Sequence, residues 1–146
     1  MGLFTSLFSL KGQRKPSSPR EVAILMGAAK FDMEILVEDQ TAFEAICEPR
    51  LPMGINRYET AWLYLDNKNP KDKNAVAVVI RERLVGYLNS EAAKFYRQHI
   101  IAKGMPTAVG ECQAVIRGRW VSSDGRKGPY QVWLDLPRLY PFSPVQ

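Results

Sequence analysis

Cysteine and histidine are scarce in this sequence. Its 146 residues include two cysteines, Cys47 and Cys112, and one histidine, His99. Two cysteines cannot build the disulfide framework of a small secreted domain, and together with one histidine they supply too few soft ligands for a closed zinc site. Catalysis of the Ser-His-Asp or Cys-His kind would have to use His99, which falls in the middle of a predicted helix. We therefore expect no structural metal, no cofactor and no enzymatic activity.

Long apolar runs and the common catalytic motifs are also missing. No stretch approaches the roughly 18 apolar residues that a membrane-spanning helix needs. The chain has no glycine-rich phosphate loop and no H-E-x-x-H, G-x-S-x-G or C-x-x-C pattern. With 46% hydrophobic and 24% charged residues, the composition is that of one globular domain, which we expect in the cytoplasm.

Charge is divided unevenly along the chain. The formal net charge is +5, to which residues 1–30 contribute +4, residues 31–66 contribute −6 and residues 67–146 contribute +7. A domain polarised in this way can carry a basic face suited to phosphate groups. The fold can equally interleave the two halves and cancel the field.

The first 15 residues combine an apolar stripe with a basic cluster. The stripe holds Leu3, Phe4, Leu7, Phe8 and Leu10, and three bases follow it at positions 11, 14 and 15. This pattern predicts either a terminus that packs onto the domain or a peripheral contact with a membrane or a protein. Residues 12–19 have the composition of a linker. We divide the chain into an amphipathic segment and linker (1–17), a domain (18–137) and a proline-rich tail (138–146).

The remaining pattern predicts strands around one main helix. We expect a short helix from a capping box at Ser18 to about Lys30, a strand over 31–37 and a helical turn over 42–47. Further strands are predicted over 58–65, 75–80, 84–88, 108–120 and 130–136, with the main helix from Asn89 or Ser90 to Gly104. Trp62 and Trp133, in alternating strands, are expected in the core. Because no βαβ pattern repeats, the chain is predicted to be mainly β with helices, as a small, strongly bent antiparallel β-barrel with one main helix.

Residues 66–74, with the sequence DNKNPKDKN, contain no apolar side chain and predict an exposed turn. Lys68, Lys71 and Lys73 alternate there with asparagine and aspartate. Such a turn can bind phosphate or the edge of a terminal nucleotide. A charged turn can also serve solubility alone.

Two consecutive motifs carry a family resemblance. Residues 69–78 read NPKDKNAVAV, and residues 85–88 read VGYL. This pair resembles the HIRAN domain pattern of N-P-x-D-x-N-A-[VI]-x-V followed by V-G-Y-L. The later segments CQAVIRGRW (112–120) and VWLDL (132–136) are similar to the closing strands of stand-alone bacterial and phage members. The resemblance covers roughly residues 31–137.

The resemblance implies an OB-like barrel that works in DNA processing. Helicase-linked members of the family grip the 3′ end of single-stranded DNA, so that Asp72 would meet the terminal 3′-hydroxyl and Asn69 would shape the loop. This sequence departs from those members at three positions. Lys71 replaces the aromatic residue before the aspartate, their Arg-Tyr pair falls at about Asp39-Gln40, and Asn89-Ser90 replaces the base after V-G-x-L.

Other residues can compensate for these departures. Lys71 can contact a phosphate as a point charge, and Arg117, Arg119 and Trp120 place two guanidinium groups beside a stacking surface. The sequence therefore predicts a HIRAN-like module for single-stranded DNA or DNA 3′ ends in DNA processing or repair, serving a DNA-processing partner protein. The alternative is an adaptor that keeps the barrel, has lost the DNA-end pocket and docks on a protein or membrane through residues 1–15. The predicted binding residues are Asn69, Lys71, Asp72, Arg117, Arg119 and Trp120.

Overall fold

A computed structural model describes residues 21–47, 55–118, 123–126 and 128–138. Within these ranges the chain forms mainly β-structure with one long helix, which confirms the predicted fold class. The strands are β1 (Val22–Ile24), β2 (Met33–Glu34), β3 (Leu36–Val37), β4 (Ile55–Leu65), β5 (Val76–Ile80), β6 (Arg83–Tyr87), β7 (Val109–Gly118) and β8 (Tyr130–Asp135). The helices are α1 (Ala42–Ile46) and α2 (Ser90–Ala102). No helix in these ranges combines the length and the apolar character needed to cross a bilayer.

The strands form one strongly bent sheet in the order β2-β8-β7-β4-β5-β6-β3. All neighbours along this path are antiparallel, and β1 joins β7 in parallel beside it. The long strands β4 and β7 pair from Ile55 opposite Gly118 to Leu63 opposite Gly110. This long pair forms the centre of the molecule, and its register fixes which surface residues become neighbours.

A short segment around Ile35 joins the two edges of the sheet. β2 pairs with β8 at one edge and β3 pairs with β6 at the other, while only Ile35 separates β2 from β3. Ile35 is buried, and its backbone N–H donates to the carbonyl of Val132 at 3.1 Å. The segment predicted as one strand over 31–37 is therefore two strands with different partners, and it makes the barrel nearly closed.

The close approach of two strands at this closure explains why the V-G-Y-L motif has a glycine, Gly86. A Cβ atom on Gly86 would lie 2.1 Å from the carbonyl oxygen of Leu36 on β3. Only glycine allows the backbones of β3 and β6 to approach so closely at this point. The neighbouring Val85 and Leu88 of the motif are buried in the core.

The core lies between the inner face of the barrel and the two helices. Alternate residues of β4, β5, β7 and β8 point inward, and α2 adds Tyr96 and Ile100. The ring of Phe43 on α1 stacks on the ring of Tyr130, with 4.9 Å between centroids. Both cysteines are buried. α2 begins at the N-cap Asn89, whose side chain accepts from the N–H of Ala92, and Gly104 follows its end with φ +78°.

The prediction of a helix from Ser18 to about Lys30 is wrong for the described part, residues 21–30. β1 occupies part of it, with Ala23 buried between exposed Val22 and Ile24. This alternation matches a strand, and parallel pairing with β7 outweighs the local capping pattern. Further along, Ala29 has φ +63°, which a right-handed helix excludes.

The placement of Trp62 and Trp133 in the core is also wrong. Both are half-buried and lie on the outer face of the sheet. Because side chains alternate along a strand, the neighbours of Trp62, Ala61 and Leu63, take the inner positions instead.

Candidate nucleic-acid interface

The turn between β4 and β5, residues 66–75, is ordered by its own side chains; we call it the lysine loop. The Oδ1 atom of Asn69 accepts hydrogen bonds from the backbone N–H groups of Lys71 (2.9 Å) and Asp72 (3.2 Å). The Oδ1 atom of Asp72 accepts from the N–H of Asn74 at 2.9 Å. These Asx-type contacts satisfy three backbone donors within four residues, so side chains of the turn help to give it a defined conformation.

Asp66 ties the base of the lysine loop to the V-G-Y-L motif. Its side chain is buried, and its Oδ2 accepts from the Nδ2 of Asn69 and from the hydroxyl of Tyr87, each at 3.2 Å. Burial, together with the negative charge of Asp66, raises the pKa of Tyr87 well above its usual value. The two motifs that carry the family resemblance are thus in direct contact.

Arg97 of α2 holds the lysine loop from outside. Its Nε donates to the carbonyl of Asn74 (2.8 Å), one terminal nitrogen to the Oδ1 of Asn67 (2.8 Å), and the other to the carbonyl of Ala75 (2.9 Å). Burial lowers the pKa of this guanidinium, and the negative charges of Asp72 and Asp66 oppose that effect. Sequence reasoning missed Arg97, because no pattern links a helical residue to carbonyls more than 20 positions away.

Asp72 also faces the start of α2. Its Oδ2 lies 3.3 Å from the hydroxyl of Ser90, which donates to it. Asn89 and Ser90, where the resemblance would place a base, begin the helix, and Ser90 contacts the loop. A carboxylate placed in this way accepts hydroxyl donors, and here it accepts the hydroxyl of Ser90.

Three ammonium groups surround this ordered turn. Lys68, Lys71 and Lys73 are exposed, whereas Asp66 is buried and Asp72 is half-buried. The positive groups are therefore more accessible to solvent than the carboxylates of the same loop. This arrangement suits an anionic ligand that approaches from outside.

Arg117, on β7, lies away from the lysine loop. Its Nε donates to the Oδ1 of Asn56 at 3.1 Å, and its guanidinium carbon lies 5.0 Å from the ring centroid of Trp133. It therefore forms a cation–π contact with a tryptophan other than the predicted Trp120. Arg119 and Trp120 are outside the described residues.

The structure does not bring Arg117 and the lysine loop into one cluster. Arg117 pairs with Asn56 near the start of β4, and the loop follows the end of β4 at Leu65. The intervening strand corresponds to roughly 30 Å of extended chain. Asn69, Lys71 and Asp72 do lie together, within the loop itself.

An aromatic row on the outer face of β4 runs between these two places. Tyr58, Trp62 and Tyr64 point to the same side of the strand, and Tyr58 is 57% exposed. The edge of the Phe31 ring packs against Tyr58, with 5.4 Å between centroids. Two acids share this face, because Glu111 pairs with Trp62 and Glu34 with Trp133. The alternation of aromatic residues with Ala61 and Leu63 was the sequence pattern from which this row could have been predicted.

Asp39 and Gln40, where the resemblance would place an Arg-Tyr pair, have structural contacts. Asp39 accepts from the backbone N–H of Thr41 at 3.0 Å. The side chain of Gln40 bonds both backbone groups of Tyr130, at 2.8 Å to the N–H and 3.1 Å to the carbonyl. These two residues therefore connect the approach to α1 with β8.

Titratable groups do not assemble into a metal site in the part of the chain that the structure describes. His99 is half-buried on α2, and burial, together with nearby Lys103, lowers its pKa.

No protein-family model, curated protein or solved structure matches this chain. The interpretation of the site therefore rests on the geometry of its own residues.

Proposed function

We propose that this chain is a HIRAN-like binding module for single-stranded DNA or DNA 3′ ends in DNA processing or repair, with no catalytic activity of its own and with a DNA-processing protein as partner. The observation that supports this proposal is the lysine loop. Its three exposed ammonium groups project from a turn that Asn69, Asp72 and Arg97 hold in one conformation. A preorganised basic turn loses little conformational freedom when it binds phosphates.

The contacts of Asp72 give the loop a means of recognising a strand end. A ligand hydroxyl can take the place of the Ser90 hydroxyl, which donates to Asp72 at 3.3 Å and is itself exposed. Lys71 and Lys73, on either side, would contact the phosphates that follow. A 3′-phosphate in this position would meet the carboxylate with like charge and bind more weakly.

The aromatic row of β4 supports an extended path for the strand beyond the loop. Base stacking on an aromatic side chain contributes about 1 to 3 kcal/mol per base. Tyr64 and Trp62 follow the loop along this face, and Arg117 lies near its far end. Glu111 and Glu34 on the same face repel phosphates, so we expect moderate affinity.

The first test compares two double variants with the same net charge. Lys71→Gln/Lys73→Gln removes two ammonium groups from the loop, and Lys94→Gln/Lys103→Gln removes two exposed ones from α2. For a fluorescent single-stranded oligonucleotide, the loop variant should lower the slope of log affinity against log salt by about 1.4, since each phosphate contact contributes about 0.7. The α2 variant should bind like the parent.

Equal losses in the two variants would show that only net charge matters, and the proposed site would then be wrong. The alternative function, a protein- or membrane-docking adaptor acting through residues 1–15, rests on a segment outside the described residues. This adaptor function predicts that the parent protein binds no DNA, and that neither double variant differs from the parent in this respect.

A further inference from the structure

A cavity lies on the other side of α2 from the lysine loop. It has a volume of about 470 Å³ and is enclosed by α2, by the segment that leads from β1 to β2, and by the chain that follows β8. Phe95 lines the cavity, whereas Arg97 contacts the loop. Two residues correspond to about 200° around a helix, so these side chains point in nearly opposite directions.

The wall formed by the β1–β2 segment is pressed tightly against the end of β8. A Cβ atom on Gly27 would lie 2.5 Å from the Oδ1 of Asp135 and 2.7 Å from the carbonyl oxygen of Leu136. The backbone N–H of Lys30 donates to the same Oδ1 at 3.2 Å. Asp135 itself is only 9% exposed. These contacts give the cavity a preformed wall.

The same wall contains strained backbone. Ala29 has φ +63° and Phe31 has φ +47°, on either side of Lys30. Left-handed conformations of residues other than glycine are unfavourable, and they concentrate at ligand sites. The hydrogen bond of Lys30 to Asp135 and the contact of Phe31 with Tyr58 maintain this strained backbone, and Lys30 lies at the edge of the cavity.

The lining combines an apolar floor with a charged rim. The floor includes Met33, Phe95 and Leu136, and the rim carries Lys30 and Arg138 against one acid, Asp32. The volume is within the range of small-molecule sites in proteins. An apolar floor attracts an apolar body, and the two cationic side chains at the rim attract a negative group, since the carboxylate of Asp135 is buried behind the wall and accepts from the N–H of Lys30.

We propose that this cavity binds a small monocarboxylate with an aromatic or medium-chain apolar body. The carboxylate lies between Lys30 and Arg138, and the apolar body packs on Met33 and Phe95. Asp32 disfavours ligands with more than one negative charge. This site is independent of the proposed DNA binding, since it uses neither the lysine loop nor the aromatic row of β4.

The test uses 1-naphthoate as probe and 1-naphthalenemethanol as its uncharged analogue, titrated into the ¹⁵N-labelled full chain. We expect naphthoate to shift the amide signals of residues 26–33, 95, 136 and 138. We expect the alcohol to bind about tenfold more weakly, because it cannot form a charge-assisted hydrogen bond with the rim. Lys30→Gln and, separately, Arg138→Gln should each lower naphthoate affinity severalfold, whereas Lys103→Gln on α2 should leave it unchanged.

The titrations distinguish binding at this cavity from binding elsewhere. Shifts confined to another surface, or no shifts at millimolar naphthoate, would overturn the site. Equal binding of the acid and the alcohol, with no effect of Lys30→Gln, would overturn its selectivity for anions. The amide spectrum also reports whether each variant remains folded, so a loss of binding through unfolding is recognised directly.

Discussion

The pKa of His99, the single histidine of the chain, reports on the burial of this side chain on α2. Burial and the positive charge of Lys103 both lower its pKa, so the folded protein releases this proton more readily than the unfolded chain. The stability that neutral His99 contributes is present above about pH 6.5, the pKa of the unfolded chain, and is lost as the pH falls through the lower folded value. The NMR titration of its Cε1–H signal should have a midpoint below 6.5.

The matching variant is His99→Gln, which should reduce the pH dependence of the melting temperature on the acidic side of pH 6.5. A titration midpoint above 6.5 would place the imidazole beside a carboxylate and contradict the described packing of α2. Because the chain has no second histidine, the assignment needs no further variant.

Residue-level predictions succeeded where the cause is local. The main helix was predicted to begin at Asn89 or Ser90, and Asn89 is the cap, since its amide oxygen accepts from the N–H of Ala92 at 2.8 Å. The expected core position of Trp62 and Trp133 was wrong, because strand alternation, and not hydrophobicity, determines which face each side chain takes. Small inner residues such as Ala61, together with the ring of Tyr96 from α2, fill the core instead.

At the level of elements, the lysine loop depends on Arg97. Replacing Arg97 with Gln removes up to three hydrogen bonds and leaves the carbonyls of Asn74 and Ala75 without this donor. We expect the free energy of unfolding to fall by about 1 to 2 kcal/mol, since these contacts are partly exposed. Amide hydrogen exchange in residues 66–75 should accelerate more than exchange in β7.

Lys94→Gln serves as the control on the same helix, because Lys94 is exposed and carries the same charge. Uniform acceleration of exchange throughout the barrel in Arg97→Gln would indicate a global role for Arg97. Unchanged exchange in the loop would show that Asn69 and Asp72 order it without help from α2.

The elements that could be predicted are those whose pattern lies within the element itself. The alternation of β4, the polar turn at 66–74 and the cap of α2 all appear in the structure. β1 and the division of β2 from β3 could not be predicted, since parallel pairing with β7 and closure between β8 and β6 are long-range events. In both cases pairing with strands that are distant in the sequence determined the local conformation.

At the scale of the whole molecule, the barrel determines which predicted site residues become neighbours. Asn69, Lys71 and Asp72 were predicted together and lie together, because one turn contains them. Arg117 lies near the opposite end of β4, because β7 runs antiparallel to it from Gly110 opposite Leu63 to Gly118 opposite Ile55. Sequence alone does not give this register, although the alternation within β4 does indicate the aromatic row between the two places.

The most direct test of DNA-end binding is a fluorescence anisotropy titration of the full chain against single-stranded oligonucleotides ending in a 3′-hydroxyl or a 3′-phosphate. With three to five phosphates contacted, affinity should fall about 10- to 50-fold between 50 and 150 mM salt. The 3′-hydroxyl strand should bind more tightly, and Asp72→Asn should remove most of that difference. No binding of either strand at 50 mM salt, or equal binding of both by the parent, would contradict recognition of a 3′ end by the lysine loop.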